Sequence, residues 1–199
     1  MTRNGLALLA AGTFLSAGVQ PANTRPPFPT YTISQAPPEL RRQIQRADLV
    51  IVSLHDTMLA ELSREIDHGG PAGAIRACHI DVTSAAYRAA RGEGLEVGRT
   101  SDRLRVPTNR PRAWAAPIVQ EYAGRRAADI EGFAVDLGDR VGVLRPIAER
   151  SVCAACHGDS DRLDPRVRQE LAERYPRDLA LNFRTGDVRG WFWVEVPKK

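Results

Sequence analysis

From Leu40 onward, apolar residues return at every third or fourth position: Leu40, Ile44, Ala47, Ile51, Leu54, Met58 and Leu62. That period marks one face of an α-helix and predicts a long helix opening near Pro38 or Glu39. Gly69 and Gly70 predict its stop, and Pro71 predicts the start of a second helix. The second stripe is Ile75, Cys78, Val82, Ala85 and Ala89, closed by Gly92, Glu93 and Gly94. The pattern then changes. Residues 95–106 read as extended, and the proline-flanked stretch 107–111 reads as a turn. Residues 114–122 predict a shorter helix distorted at Pro117. Residues 130–136 and 140–146 flank Leu137, Gly138 and Asp139 in a hairpin pattern. Residues 167–174 predict a helix stopped by Pro176. Residues 191–196 predict a terminal strand rich in aromatic and β-branched side chains. Two long helices followed mainly by strands predict an α+β fold, with helices packed on an antiparallel sheet.

The ends of the chain refine that outline. Arg3 precedes an apolar run over residues 6–17, followed by small residues at Ser16, Ala17 and Gly18. The run has signal-peptide length and falls short of the roughly 20 residues that span a bilayer. The expected organisation is a signal peptide over 1–20, a proline-rich linker over 21–37 and one domain over 38–199. The expected location is therefore the periplasm. At 199 residues, with 43% apolar and 26% charged side chains, the chain suits a single soluble domain. The net charge of +4 is dispersed and almost wholly arginine, with lysine only at Lys198 and Lys199. No basic run is long enough for a nucleic-acid tract, so no nucleic-acid partner is expected.

The chemistry concentrates at Cys153-Ala154-Ala155-Cys156-His157, followed by Gly158. Cys-x-x-Cys-His is the attachment pattern of c-type haem. Two thiols a fixed short distance apart add across the two vinyl groups of one porphyrin. The adjacent histidine then lies under the iron and binds it through an imidazole nitrogen. One covalently attached haem c is the expected cofactor, held by Cys153, Cys156 and His157, with His157 as an iron ligand. The chain has three cysteines, so this use leaves Cys78 alone in an oxidising compartment. Candidates for the second axial position are Cys78, His79, His55, His68, Met58 and Met1. Cys78 and His79 point about 100° apart on a helix, so only one of them faces the haem. Cys78 shares the apolar face with Ile75 and Val82; its competing reading is a small buried hydrophobe. Arg99, Arg103 and Arg105 suit haem carboxylates, but each taken alone reads more simply as surface charge. Trp191 and Trp193 read as core or sheet face.

The sequence resembles the monohaem c-type, PAS-like haem-domain family of unknown function. That family includes stand-alone exported haem proteins and sensor parts of histidine kinases. Three stretches carry the resemblance: residues 74–78; residues 98–101 through 104–111 with Trp114; and residues 153–158 with 175–180 and 186–190. It covers residues 40–196. It implies a PAS-like antiparallel sheet with two long N-terminal helices packed against it, and it implies Cys78 as the second iron ligand opposite His157. The chain departs from the family at Val106, where asparagine usually precedes the proline, and at Arg112 and Ala115, where acidic residues are usual. Asn182 replaces a usual glycine. The implied role is a periplasmic redox sensor or low-potential electron carrier with no catalytic turnover. Its expected partner is a redox protein or a separate signalling protein, with a homodimer through the first helix as a further expectation. The alternative is a haem peroxidase or oxidase in which Cys78 dissociates and His79 or His55 serves as acid–base group. A zinc site built from Cys153, Cys156, His157 and Cys78 or His79 is a third reading.

Overall fold

The apolar runs near residues 140 and 191 become the two central strands of one sheet. The computed structural model describes residues 28–77 and 85–199. In chain order the elements are β1 (Thr30–Thr32), α1 (Arg41–Ala77), α2 (Ala85–Gly92), β2 (Glu96–Thr100), α3 (Ala116–Glu121), β3 (Phe133–Asp136), β4 (Arg140–Ala148), α4 (Ala154–His157), α5 (Pro165–Arg174) and β5 (Val188–Pro197). The five strands pair antiparallel in the order β1-β3-β4-β5-β2. The α+β class and the antiparallel sheet with helices packed on it are as the sequence predicts.

Alternation along β4 and β5 sets the two faces. Val141, Val143 and Ile147 on β4 share one face with Phe192, Val194 and Val196 on β5. Leu40 just before α1, the apolar stripe of α1 (Ile44, Ala47, Ile51, Leu54) and Tyr87 and Ala90 of α2 cover that face. Leu144 and Trp191 lie on the other face, where Trp114, Ile118 and Val119 around α3 cover them. Both faces are buried, which is why these strands are apolar at nearly every position. Each such side chain contributes about 1.5–3 kcal/mol through burial.

Two features differ from the pattern-based expectation, while the break at Gly69–Gly70 is as predicted: Gly70 adopts φ 64° and ψ −177°, which interrupts α1, and helix resumes at Pro71. Pro71 lacks the N–H that the interrupted turn would otherwise have to satisfy. The stretch expected as linker contributes β1, whose Thr30, Tyr31 and Thr32 pair with Val135, Ala134 and Phe133. Residues 95–106 form a strand only as far as Thr100, and the rest becomes a loop on the functional side. The signal-peptide segment, and residues 78–84 with Cys78 and His79, lie outside the described residues.

One polar cluster is built into the second face. Glu195 of β5 is 8% exposed. Its Oε1 accepts from Trp114 Nε1 at 2.8 Å and pairs with Arg112 at 3.2 Å. The Arg112 guanidinium also lies 4.5 Å over the Trp193 ring and pairs with Glu96. The departures at Arg112 and Ala115 thus fall in this cluster and in the core beside it. Gly142 is required beneath it, because an added Cβ would lie 2.9 Å from the Trp114 ring. Trp114→Phe keeps most of the buried area but removes a donor to a carboxylate. It should cost about 2 kcal/mol in urea unfolding; a loss below about 0.5 kcal/mol would show that the bond is replaced by water.

Candidate functional site

β4 and β5 are neighbours in the sheet, yet residues 150–187 leave and return between them. Backbone bonds close this excursion at its base. Glu149 N donates to Asp187 O at 2.9 Å, and Gly186 N donates to Glu149 O at 2.7 Å. The Cys-x-x-Cys-His segment opens the excursion. It forms one helical turn, with His157 N donating to Cys153 O at 2.9 Å. Positions i, i+3 and i+4 share a helix face, so this turn gathers Cys153, Cys156 and His157 on one side. The two cysteines are half-buried and not joined by a disulfide. Gly158 N then donates to Ala154 O, and a Cβ on Gly158 would lie 2.6 Å from that oxygen. Glycine is therefore needed directly after the motif.

The imidazole of His157 is fixed from behind. Its Nδ1 lies 2.8 Å from the carbonyl oxygen of Ala180. A carbonyl only accepts, so Nδ1 carries the hydrogen and Nε2 keeps its lone pair. Burial, then Arg189 and Arg105, push the His157 pKa well below the ordinary histidine value, so the ring is neutral. A neutral imidazole whose Nδ1–H is held by a carbonyl is the usual form of a metal-ligating histidine.

The loop supplying Ala180 is anchored along its length. Asn182 N donates to Gly158 O at 2.8 Å and Phe183 N to His157 O at 3.0 Å. Asn182 adopts φ 61°, which explains why glycine suits this position. Asparagine tolerates that conformation, and here its Oδ1 also accepts from Ser160 N at 2.8 Å. Arg105 ties loop and motif together. Its Nη2 donates to Cys156 O at 2.6 Å and reaches Ala180 O at 3.5 Å, while Nε donates to Asp178 at 2.9 Å. The Arg105 and Asp178 side chains are only 9% and 6% exposed.

A cavity opens beside His157, walled by Arg99, Arg103, Arg105 and Arg189, with Ile147 and Tyr175 among its other lining groups. The reading of Arg99, Arg103 and Arg105 as surface charge is therefore corrected. Arg103 lies 3.5 Å over the Phe183 ring and donates to Leu181 O. Arg99 donates to the Met58 thioether at 2.9 Å. Several buried polar atoms around the cavity have no hydrogen-bond partner among the described residues: Thr100 Oγ1, Arg105 Nη1, Arg189 Nε and both carboxylate oxygens of Glu149. Glu149 and Arg189 were missed by sequence reasoning, although Arg189 falls inside a stretch that carries the family resemblance. Arg189 Nε lies 3.6 Å from Glu149 Oε2. Burial pushes the Glu149 pKa up to about 7, against the pull of Arg189 and Arg105. The stability this group contributes is fully present below its unfolded value and is lost as pH rises through about 7.

These features fit a haem with two carboxylates. The motif turn presents two thiols and a neutral imidazole, and the cavity beside them is cationic with unsatisfied donors. Other candidate ligands are placed elsewhere. His55 sits edge-on to Phe192, His68 Nδ1 meets the Arg64 carbonyl, and Met58 packs against the α1 core; none lines the cavity. Trp191 is core, and Trp193 lines a separate cleft. Cys78 lies outside the described residues. The described helix reaches Ala77, and Ile75 belongs to a buried cluster with Val167, Leu171 and Tyr175, against which Cys156 and Val106 pack. Among the described residues no three His, Cys, Asp or Glu side chains converge as a metal-ion cluster.

A family model described as Tll0287-like matches residues 29–197. The crystal structure of the cyanobacterial heme-protein Tll0287 is similar to this chain with a TM-score of 0.56 and 21% identity. The match covers 82% of this chain and 98% of that one. No curated protein matches.

The tie through Arg105 is open to direct test. Arg105→Gln leaves the buried Asp178 carboxylate without its cation and removes the donor to Cys156 O. It should cost about 3–5 kcal/mol in denaturant unfolding. A cost below about 1 kcal/mol would mean that water replaces the arginine at Asp178.

Proposed function

The chain belongs to the Tll0287-like family, and on that premise we propose that it binds one covalently attached haem c and works as a periplasmic redox sensor or low-potential electron carrier, without catalytic turnover. The observation that carries this reading is the neutral His157 ring, locked by Ala180 O, on the same helical turn as Cys153 and Cys156. The heme named for the similar crystal structure supports it. A bound haem would supply a one-electron iron couple.

Each residue has a task in this account. Cys153 and Cys156 would hold the group covalently, their S–H groups adding across two vinyl double bonds with no atom lost. His157 would offer Nε2 to the iron, and the Ala180 carbonyl sets the ring's orientation and raises its basicity. Arg99 and Arg189 face the cavity and would meet the haem carboxylates. Cys78 follows directly on Ala77 and is the proposed second ligand. As a thiolate it would carry negative charge, which would favour the oxidised metal and a low potential. With both His157 and Cys78 holding the group, peroxide or oxygen chemistry would be disfavoured. The enzyme alternative needs a distal acid–base group. Of its two candidates, His55 stands outside the cavity and His79 outside the described residues.

A redox partner or a separate signalling protein would exchange electrons or information with the site. In a sensor, a change in the protonation of Cys78 with redox state would be the local event that the rest of the chain reads. In a reductive titration of the holoprotein, Cys78→Ser should alter the absorption spectrum of the oxidised state and raise the potential. An unchanged spectrum removes Cys78 from the ligand set.

A further inference from the structure

Glu149 is the one buried acid on the cavity side of the sheet whose role the haem account leaves open. It directly follows β4, is 1% exposed as a residue and has a fully buried side chain. Its main chain is fixed on both sides by the Asp187 and Gly186 bonds, which hold this position at the base of the excursion. The charged groups facing it are Arg189 on β5, Arg105 and Arg103 on the loop after β2, and Asp187 on the turn before β5. Among the described residues, neither carboxylate oxygen has a hydrogen bond.

A structural ion pair does not look like this. Charge-assisted pairs that hold a fold close to about 2.7–2.9 Å and satisfy their lone pairs, as Arg145 and Asp48 do at 2.8 and 2.7 Å. The Arg189–Glu149 approach stays at 3.6 Å and is not a hydrogen bond. A buried carboxyl with cations near it but none bonded to it is balanced between its two protonation states. Arg189 also lines the cavity that contains His157, and its guanidinium is influenced by Arg99, Cys153 and Glu149 together. Any charge gained in the cavity therefore acts on the Glu149 carboxyl through a shared cation.

We propose that Glu149 is the proton acceptor of the redox site: it takes up one proton when the site gains one electron, and Arg189 carries the coupling between them. The inference rests on the haem reading. The balance is one electron from a one-electron donor and one proton from solvent. One O–H bond forms on Glu149, nothing in the chain breaks, and both are returned on oxidation. In the chain itself, burial pushes the Glu149 pKa up to about 7, so the carboxyl can respond near neutral pH. Added negative charge raises it further. The reduced state then holds the proton more tightly than the oxidised state. Between the two pKa values, the reduction equilibrium falls by up to about tenfold per pH unit, or about 59 mV for one electron. Outside that window it is flat.

The test is a spectroelectrochemical titration of the holoprotein from about pH 5 to about pH 9, a range that brackets the neutral window, on the parent chain and on Glu149→Gln. The parent potential should fall as pH rises through neutrality, and the Gln variant should lose that slope. Equal slopes in both would overturn the proposal and assign the proton to the haem carboxylates or to Cys78. If the Gln variant folds poorly, reduced-minus-oxidised infrared spectra of the parent chain carrying ¹³C-labelled glutamate decide instead. A labelled carboxylic-acid band should appear on reduction, and its absence overturns the proposal. A purified chain with no covalently bound haem would overturn the haem reading and this inference together. A haem-bearing chain with an unaltered slope in the variant would overturn this inference alone.

Discussion

The Ala180 carbonyl accepts from the His157 ring at 2.8 Å and lies 3.5 Å from the Arg105 guanidinium, which also grips the Cys156 carbonyl. This oxygen decides the tautomer of His157, and the arginine decides where the oxygen and the motif turn stand relative to each other. Removing the bond would leave a neutral imidazole free to rotate. Removing the arginine would leave the turn and the loop attached mainly by the backbone bonds at His157 and Gly158. The folded sheet contributes the frame: β4 and β5 pair across residues 140–197, and the excursion that carries the motif is closed at its base by Glu149, Gly186 and Asp187.

The same arrangement concentrates positive charge. Arg99, Arg103, Arg105 and Arg189 wall one cavity, and burial together with Arg99 lowers the pKa of Arg189. Burying cations is costly unless anions or donated hydrogen bonds compensate. Arg103 and Arg105 are compensated by main-chain carbonyls and Asp178. Arg99 has a thioether as its hydrogen-bond partner, and Arg189 has a carboxyl that stays out of hydrogen-bond reach. The remaining deficit is of the kind that an anionic cofactor fills. A neutral His157 in the midst of these arginines follows first from its burial and then from the repulsion that a further positive charge would meet.

Much of this was legible in the sequence, for identifiable reasons. The attachment motif is local: its chemistry needs two thiols and an imidazole on one turn, and one turn is five residues of sequence. The hairpin at 133–148 announces itself through two apolar runs around a turn, and the strand at 188–197 through its aromatic and β-branched side chains. β1 did not, because three residues in a proline- and threonine-rich stretch carry no period, and their order comes from pairing with β3. Gly69, Gly70 and Pro71 signalled both the break and the restart, because a glycine at positive φ interrupts a helix and proline suits the first turn of the next. The arginines of the cavity were misjudged singly, since an isolated arginine is usually solvated; their meaning lies in convergence from β2, the loop after it and β5. Glu149 gave no signal at all, because its partner Arg189 lies across the whole excursion. Asn182 was noticed only as a departure, and the left-handed backbone there supplies its reason.

The central claim is that Cys153, Cys156 and His157 form one covalent haem-attachment site. Acid–acetone extraction of the purified protein, made in cells able to attach haem c, tests it most directly. The account predicts that the Soret absorbance stays with the polypeptide, and that it is lost when both Cys153 and Cys156 are replaced by serine. Absorbance that passes into the acetone phase, or that survives the double replacement on the polypeptide, would contradict it.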